Sequence, residues 1–322
     1  MTIQLEASHF HPPIFCLPSC ISTEKVILNA QVSVKGAPVR VHTLTEKKDE
    51  PEVLNFLAAR PVYTVFMSGL IRDNGLVSPS NRGTFYACRD QRGQLVGVAL
   101  IGHATLVETR TEAALAAFAR QAQGCLAAHI IIGEQEMIER FWHHYAEEGK
   151  RPRLVSCSLL LEQRSALEAF EGVPELRAAT QEDLPLLLPV NAQLSIEECG
   201  VNPLERDPQG FSSRLAQRID RGRIWVWVKD RRLIFKADIL AETEDAAYLE
   251  GIYVSPEDRG KRYGQRCMSQ LARNLLARTN TLCLLVNEKN RNAREFYSRV
   301  GYKLCAYFDS IYLHPQQDAA AV

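Results

Sequence analysis

One pattern occurs twice along this chain, and that repetition limits its fold more than any other feature. The segment YACRDQRGQLVGVAL at Tyr86–Leu100 is matched by VWVKDRRLIFKADIL at Val226–Leu240, with Asp90 and Asp230 at the same place in the turn. Further along, HIIIG precedes ERFWHHYAEEG in the first half, as LLVNE precedes AREFYSRVG in the second. Alternating runs closed by a turn read as a hairpin, and apolar residues three and four apart read as a helix. Hairpin, strand and helix recurring in one order imply an internal duplication of an α/β unit. A chain of 322 residues has material for a core in each copy.

In order, the first copy reads as helices at Pro51–Ala59 and Val62–Ile71, a hairpin of Thr84–Cys88 with Gln94–Ile101, and a helix at Thr111–Gln123. A strand at Ala128–Ile132, a helix at Glu134–Glu148 and a closing strand at Leu154–Leu161 complete it, and Ser165–Gly172 serves as connector. The second copy begins with a short strand at Glu175–Ala178 and a helix capped by Thr180, which Pro189 is expected to bend or end early. Ser195–Asp207 reads as a polar loop, Phe211–Ile219 as a helix, and Ile224–Val228 as a central strand buried on both faces, because Trp225 and Trp227 alternate with branched residues. The boundaries predicted are an arm over 1–50 with β-like runs at Lys25–Leu28 and Gln31–Val34, domains at 51–172 and 173–314, and a frayed tail at 315–322.

The stretch Tyr248–Arg278 departs from the repetition. The apolar run Leu249–Val254 suits a strand, Pro256, Gly260 and Gly264 mark a turn, and Met268, Leu271, Leu275 and Leu276 follow at helical spacing. A basic, glycine-bearing loop between strand and helix is an anion site. The first helix amides lack internal partners and lie at the positive end of the dipole. The first copy offers only VETRTE at Val107–Glu112, so an anion site of this kind is expected in the second copy alone.

Composition removes several classes of function. Basic and acidic residues both number 38, which argues against a nucleic-acid-binding body or a cationic membrane face. No apolar run approaches the roughly 20 residues of a membrane helix. The absence of a basic leader before Lys25, together with Pro12, Pro13 and Pro18, argues against a secretory signal. Nine scattered cysteines without CxxC spacing read as reduced residues of a cytoplasmic protein. Cys16 and Cys20 near His9 and His11 read as incidental, so no metal is expected.

After the strand LEGIYV, the loop RGKRYG at Arg259–Gly264 resembles the acyl-CoA pyrophosphate loop of the GNAT superfamily of N-acetyltransferases. Arg259 and Gly264 match the ends of that motif, and Arg262 stands where glycine is usual. Together with FMSGLIRDNG in the first half, and EECGVNPL, IFKADI and VNEKNRNAREFYSRVGY in the second, it resembles a bacterial subfamily whose N-terminal domain has no assigned function. The resemblance implies an α/β (α+β) fold of two tandem GNAT-like domains, each a mixed, mostly antiparallel sheet flanked by helices. It implies acetyl-CoA-dependent transfer of an acetyl group to an amine by direct attack, with the first domain degenerate and no metal involved.

The residues expected to hold the cofactor are Ile252, Tyr253 and Val254 on the strand, where a pantetheine arm can pair with free edge groups, and Arg259, Gly260, Lys261, Arg262, Tyr263 and Gly264 in the loop. Asn287 and Asn292 lie beyond the next strand, and Tyr297 holds the position that faces the departing thiolate in the family. An amine near pKa 10.4 costs roughly 4 to 5 kcal/mol to deprotonate at pH 7, which a carboxylate can offset. Glu250 is placed for that role, and Glu197 and Glu198 suit a cationic acceptor. The acceptor expected is a small-molecule, peptide or protein amine, with neither nucleic acid nor membrane as partner, and a homodimer is compatible with the sequence. The alternative is a non-catalytic acyl-CoA-binding or scaffolding protein, for which Arg262 speaks.

Overall fold

The computed structural model describes residues 38–167 and 170–314. The arm strands at Lys25–Leu28 and Gln31–Val34, the Cys16 and Cys20 pair and the tail at 315–322 lie outside the described residues.

The first half runs β1 (Arg40–Thr43), α1 (Glu50–Ala58), α2 (Pro61–Asn74), β2 (Gly83–Arg89), β3 (Leu95–Gly102), β4 (Ala104–Thr109), α3 (Glu112–Gln123), β5 (Ile130–Glu134), α4 (Gln135–Tyr145) and β6 (Pro152–Gln163). The second runs β7 (Arg177–Ala178), α5 (Leu184–Cys199), the single turn α6 (Pro203–Arg206), α7 (Pro208–Asp220), β8 (Ile224–Lys229), β9 (Arg232–Glu242), β10 (Ala247–Val254), α8 (Tyr263–Leu276), β11 (Leu282–Asn287), α9 (Arg291–Arg299) and β12 (Lys303–Leu313). Apart from α6 the two orders are identical, so the duplication read from the sequence is present in the fold. Its start lies earlier than expected: β1, inside the stretch read as an arm, pairs with β2 from Arg40↔Arg89 to Thr43↔Tyr86.

Among the described residues twelve strands join one sheet in the order β1-β2-β3-β4-β5-β12-β6-β11-β10-β9-β8-β7. Its centre corrects the reading that Leu154–Leu161 closes the first unit. β6 pairs instead with β11, from Leu282↔Gln163 to Asn287↔Ser158, and β12 pairs with β5 as well as with β6. Each half lends its last strand to the fifth strand of the other, and the two lent strands pair at the middle. The cores on the two flanks are separate: α8 buries Cys267, Met268, Leu271 and Leu275 against β9–β11, while α3 and α4 bury Phe118, Ile138, Phe141 and Tyr145. Helix α2 crosses over, packing Val62 and Val65 with Ala241, Ala246, Cys283 and Phe308. Gly69 permits that approach, since a Cβ there would lie 2.7 Å from the Ala241 Cβ.

Two local expectations fail for reasons of packing. Helix α5 continues through Pro189 to Cys199, so Ser195–Cys199 is helix rather than loop. An interior proline costs about 3 kcal/mol. Full burial of Leu187 and near-full burial of Ala192 and Asn191 on the same helix offset a cost of that size. Strand β8 is buried on both faces but is not central, because only the two residues of β7 flank it. Trp227 faces the α8 core while Ile224 and Val226 face α5 and α7. Among the described residues no helix is long and apolar enough to cross a membrane.

Candidate active site

β10 and β11 run parallel and in register only from Ala247↔Leu282 to Leu249↔Leu284. Beyond Leu249 they separate. On its other side β10 jumps from Glu250↔Asp238 to Tyr253↔Lys236, a bulge in which Gly251 takes φ 56°. β11 stays anchored to β6 through Asn287. Ile252, Tyr253 and Val254 on one side and Leu285–Asn287 on the other therefore bound a wedge across which their backbone groups make no ladder bonds.

At the end of the wedge the chain takes eight residues, 255–262, to enter α8. The Ser255 amide donates to Ile234 O at 2.9 Å, and Asp258 is gripped by Lys261 Nζ at 2.7 Å and Arg232 at 2.8 Å. Arg259 Nε donates to Val254 O at 3.2 Å. Gly260 has φ 80° and Arg262 φ 60°, and no side chain caps the first amides of α8. Left-handed backbone at Arg262 explains why glycine is usual there; an L side chain pays about 1 kcal/mol for it, so the arginine is tolerated rather than excluded. An open cleft of ≈ 700 Å³ is lined by Arg259, Gly260, Arg262, Gly264 and Phe296.

Gly264 is required by space. A Cβ there would lie 2.9 Å from Val254 Cγ2 and 3.1 Å from Phe296 Cε2. Gly264→Val should push the α8 N-terminus off the end of β10, and overpacking of this kind costs roughly 1–3 kcal/mol. The expected result is an acetyl-CoA dissociation constant raised about tenfold or more, measured by calorimetry.

Glu250 sits where the wedge opens. Its carboxylate accepts from Arg218 at 2.8 Å, and Arg218 also lies 3.5 Å from Asp238. Asp238 pairs with Lys236 Nζ at 2.9 Å, and Lys236 donates to Asn191 Oδ1 at 2.7 Å. Lys236 is fully buried, and a Cβ on Gly251 would lie 2.8 Å from its Nζ, so this lysine fixes glycine at the bulge. Desolvation raises the Glu250 carboxyl above the ordinary range, with Asp238 adding to it and Arg218 and Lys236 opposing. Desolvation likewise lowers the Lys236 ammonium, against the pull of Asp238. Lys236→Met would leave Asp238 buried with only the distant Arg218. A loss of about 3 kcal/mol in chemical denaturation is expected, because breaking a buried pair costs more than never having built it.

The other predicted residues separate into those that converge here and those that do not. Because α5 extends to Cys199, Glu197 and Glu198 point apart on its last turn. Glu197 accepts from Gln193 at the surface, whereas Glu198 accepts from Tyr312 Oη at 3.4 Å. Although Glu198 as a residue is exposed, desolvation of its carboxyl and then the Glu250 charge raise it above the ordinary carboxylate range, so of the two adjacent acids it is Glu198 whose charge reaches Glu250. Asn287 is engaged with Ser156 Oγ at 2.9 Å and with the Lys289 amide at 2.9 Å. The cap of α9 is Asn290, and Asn292 is exposed in its first turn. Tyr297 is buried at 9% exposure between Phe296 and Tyr302, and desolvation holds its phenol protonated. Arg218, Lys236, Asp238 and Tyr312 went unnoticed in the sequence; the one available signal was Lys and Asp two apart in the apolar run IFKADI, hence on one strand face.

The corresponding place in the first half is shut. β4 and β5 pair only at Ala104↔Ile130 and Thr105↔Ile131 before separating. Arg60 then bridges the two strands, reaching Glu108 on β4 at 3.5 Å and Glu134 on β5 at 2.5 Å. Only Arg110 and Thr111 link β4 to α3, and the Thr111 side chain already accepts from the Ala114 amide. Two residues cannot form the loop that eight form in the second half. Among the described residues no group of three or more metal-ligating side chains occurs.

Residues 236–310, from Lys236 through the loop to the middle of β12, match the family model described as FR47-like protein. No curated protein sequence matches the chain. Solved structures similar to it include an acetyltransferase from the GNAT family from Colwellia psychrerythraea, at 12% identity and TM-score 0.51 over 85% of this chain and 100% of that one. A GCN5-related N-acetyltransferase from Sphaerobacter thermophilus gives 13% identity and TM-score 0.57 over 88% and 98%. A tandem GNAT protein from the clavulanic acid biosynthesis pathway gives 14% identity and TM-score 0.55 over 87% and 100%. With one strand–helix order used twice, the chain has the tandem GNAT fold, and its residues 236–310 match the FR47-like family model.

Proposed function

We propose that the second half is an acetyl-CoA-dependent N-acetyltransferase acting on an amine by direct attack. The observation that carries the reading is the wedge opening after Leu249 into the uncapped N-terminus of α8, with Glu250 at the point of opening. Unpaired strand edges suit an extended, amide-rich arm, and the α8 amides with Arg259 and Lys261 suit a pyrophosphate. The missing Cβ at Gly264 lets the α8 N-terminus sit against Val254 and Phe296 at the end of the wedge. Acetyl-CoA supplies the activated thioester.

Glu250, its carboxyl raised above the ordinary range by desolvation, takes the proton from the acceptor ammonium and leaves a neutral amine. Glu198 holds the cationic form of the acceptor beside it. Tyr297, kept protonated by its surroundings, supplies the proton that the departing thiolate needs. Calorimetric titration with acetyl-CoA should give one site per chain, since the first half lacks the loop. Tyr297→Phe should lower kcat about a hundredfold with the acetyl-CoA affinity unchanged; unaltered turnover removes the residue from the mechanism. Acetyl-CoA binding with only slow thioester hydrolysis across a broad amine panel would favour the scaffolding alternative.

A further inference from the structure

A second charged cluster adjoins the acceptor carboxylates, linked to them through Tyr312. Its hydroxyl donates to Glu198, the Arg153 guanidinium lies 5.8 Å over its ring, and the His129 ring meets its edge at 6.0 Å. His129 in turn stacks on His103 at 4.9 Å with the planes 14° apart. Arg82 adjoins His103, whose backbone amide donates to Arg82 O at 2.8 Å, and the charges of Arg82, Arg206 and Arg214 bear on the His103 ring. Those of Arg206, Arg153 and Arg82, with Lys150, bear on His129.

The positive charge in this cluster is not answered by carboxylates. Among the described residues the side chains of Arg82 and Arg206 make no hydrogen bond or ion pair, and neither do the two imidazole rings. Asp207, the acid whose charge bears on Arg82, is taken by Arg214 at 3.0 Å and by the Gly210 amide at 2.9 Å. Arg153 and Lys150 reach only backbone carbonyls, at Cys199 and at Leu126 and Ala128. Folding gains nothing by gathering like charges; unpaired ones at the surface typically destabilise the compact state. Such a gathering is explained when an anion completes it, and guanidinium forks match carboxylate and phosphate oxygens two at a time. The imidazoles, lowered first by burial and then by the arginines, to about 3 for His103, are neutral and can still donate one N–H each.

We infer that Arg82, Arg153 and Arg206 with His103 and His129 form an anion subsite beside the acceptor carboxylates, so that the acceptor is an amine bearing a carboxylate or phosphate group. The identity of the acceptor class rests on the transferase reading; the anion subsite itself does not. Amine and anion would lie at the two ends of one molecule, the first near Glu198 and Glu250, the second past Tyr312.

The test uses the full chain, labelled at histidine, titrated with inorganic phosphate and separately with acetate at constant ionic strength. His103 and His129 ring resonances are expected to shift saturably with at least one of the two, and which one distinguishes phosphate from carboxylate. In the double variant Arg82→Ala/Arg206→Ala the affinity should fall at least tenfold, the scale of one lost charge-assisted hydrogen bond. Tm and acetyl-CoA affinity serve as controls for folding. Absence of saturable shifts in the parent chain, or the same affinity in the double variant, overturns the subsite. Acetyl transfer from acetyl-CoA to ethanolamine is then compared with transfer to phosphoethanolamine and to β-alanine. A KM at least tenfold lower for an anionic amine, lost in the double variant, supports the acceptor class, while equal KM values overturn it. Saturable anion binding with no transfer to any of the three keeps the subsite and counts against the transferase reading instead.

Discussion

A chain begun at Val173 is expected not to fold into an independent second domain, although it would contain the wedge, the loop and every proposed catalytic residue. Removing the first half takes β6 from between β12 and β11 and takes β5 from the far side of β12. Strand β12 would lose both neighbours and β11 one of its two, leaving long unpaired edges that invite aggregation. Departure of α2 would also uncover Ala241, Ala246, Cys283 and Phe308. Each large apolar side chain returned to water costs roughly 1.5–3 kcal/mol, against a total stability of about 5–15 kcal/mol. The expected outcome is an insoluble or molten product that binds no acetyl-CoA. Co-expression of residues 1–172 with residues 173–322 should restore a complex with one acetyl-CoA site. A cooperative melt and a full site in the isolated 173–322 fragment would show that the strand exchange is dispensable. On this view the first half is retained as a scaffold: its own wedge is closed by Arg60, yet its last strand completes the sheet on which the working wedge depends.

The duplication was legible because hairpin and helix periodicity are local properties, repeated here with the turn aspartates Asp90 and Asp230 in step. The exchange of β6 and β12 was not, since a strand's own residues do not specify which of two equivalent fifth strands it joins. The long link before α8 was legible from Pro256, Gly260 and Gly264, and the lack of a counterpart from VETRTE, which becomes the two-residue link at Arg110 and Thr111. The agent that closes the first wedge, Arg60, lies 48 residues from Glu108 and 74 from Glu134, beyond any local pattern. Glu197 and Glu198 read alike until the helix carried past Pro189, where burial of Leu187 outweighed a local breaker and turned one carboxylate toward the site and the other away.

Glu250→Gln should lower kcat/KM at neutral pH by about 10²–10⁴-fold while leaving acetyl-CoA binding intact, because a general base contributes on that scale and the isosteric amide keeps the bulge. The pH profile sharpens the test. Only the ionised carboxylate can accept the proton, so kcat/KM rises with pH as Glu250 ionises and is lost as pH falls through its pKa. Desolvation and Asp238 set that pKa above the ordinary glutamate value, which places the acid limb at higher pH than a solvated glutamate would give. Arg218 works the other way, holding the carboxylate charged through its 2.8 Å contact. Arg218→Gln should therefore move the acid limb further up in pH, and Glu250→Gln should flatten it. If instead the limb stays in place when Arg218 is replaced, the titrating base lies elsewhere, and Glu198, its carboxyl also raised by desolvation and beside Tyr312, becomes the group to replace next.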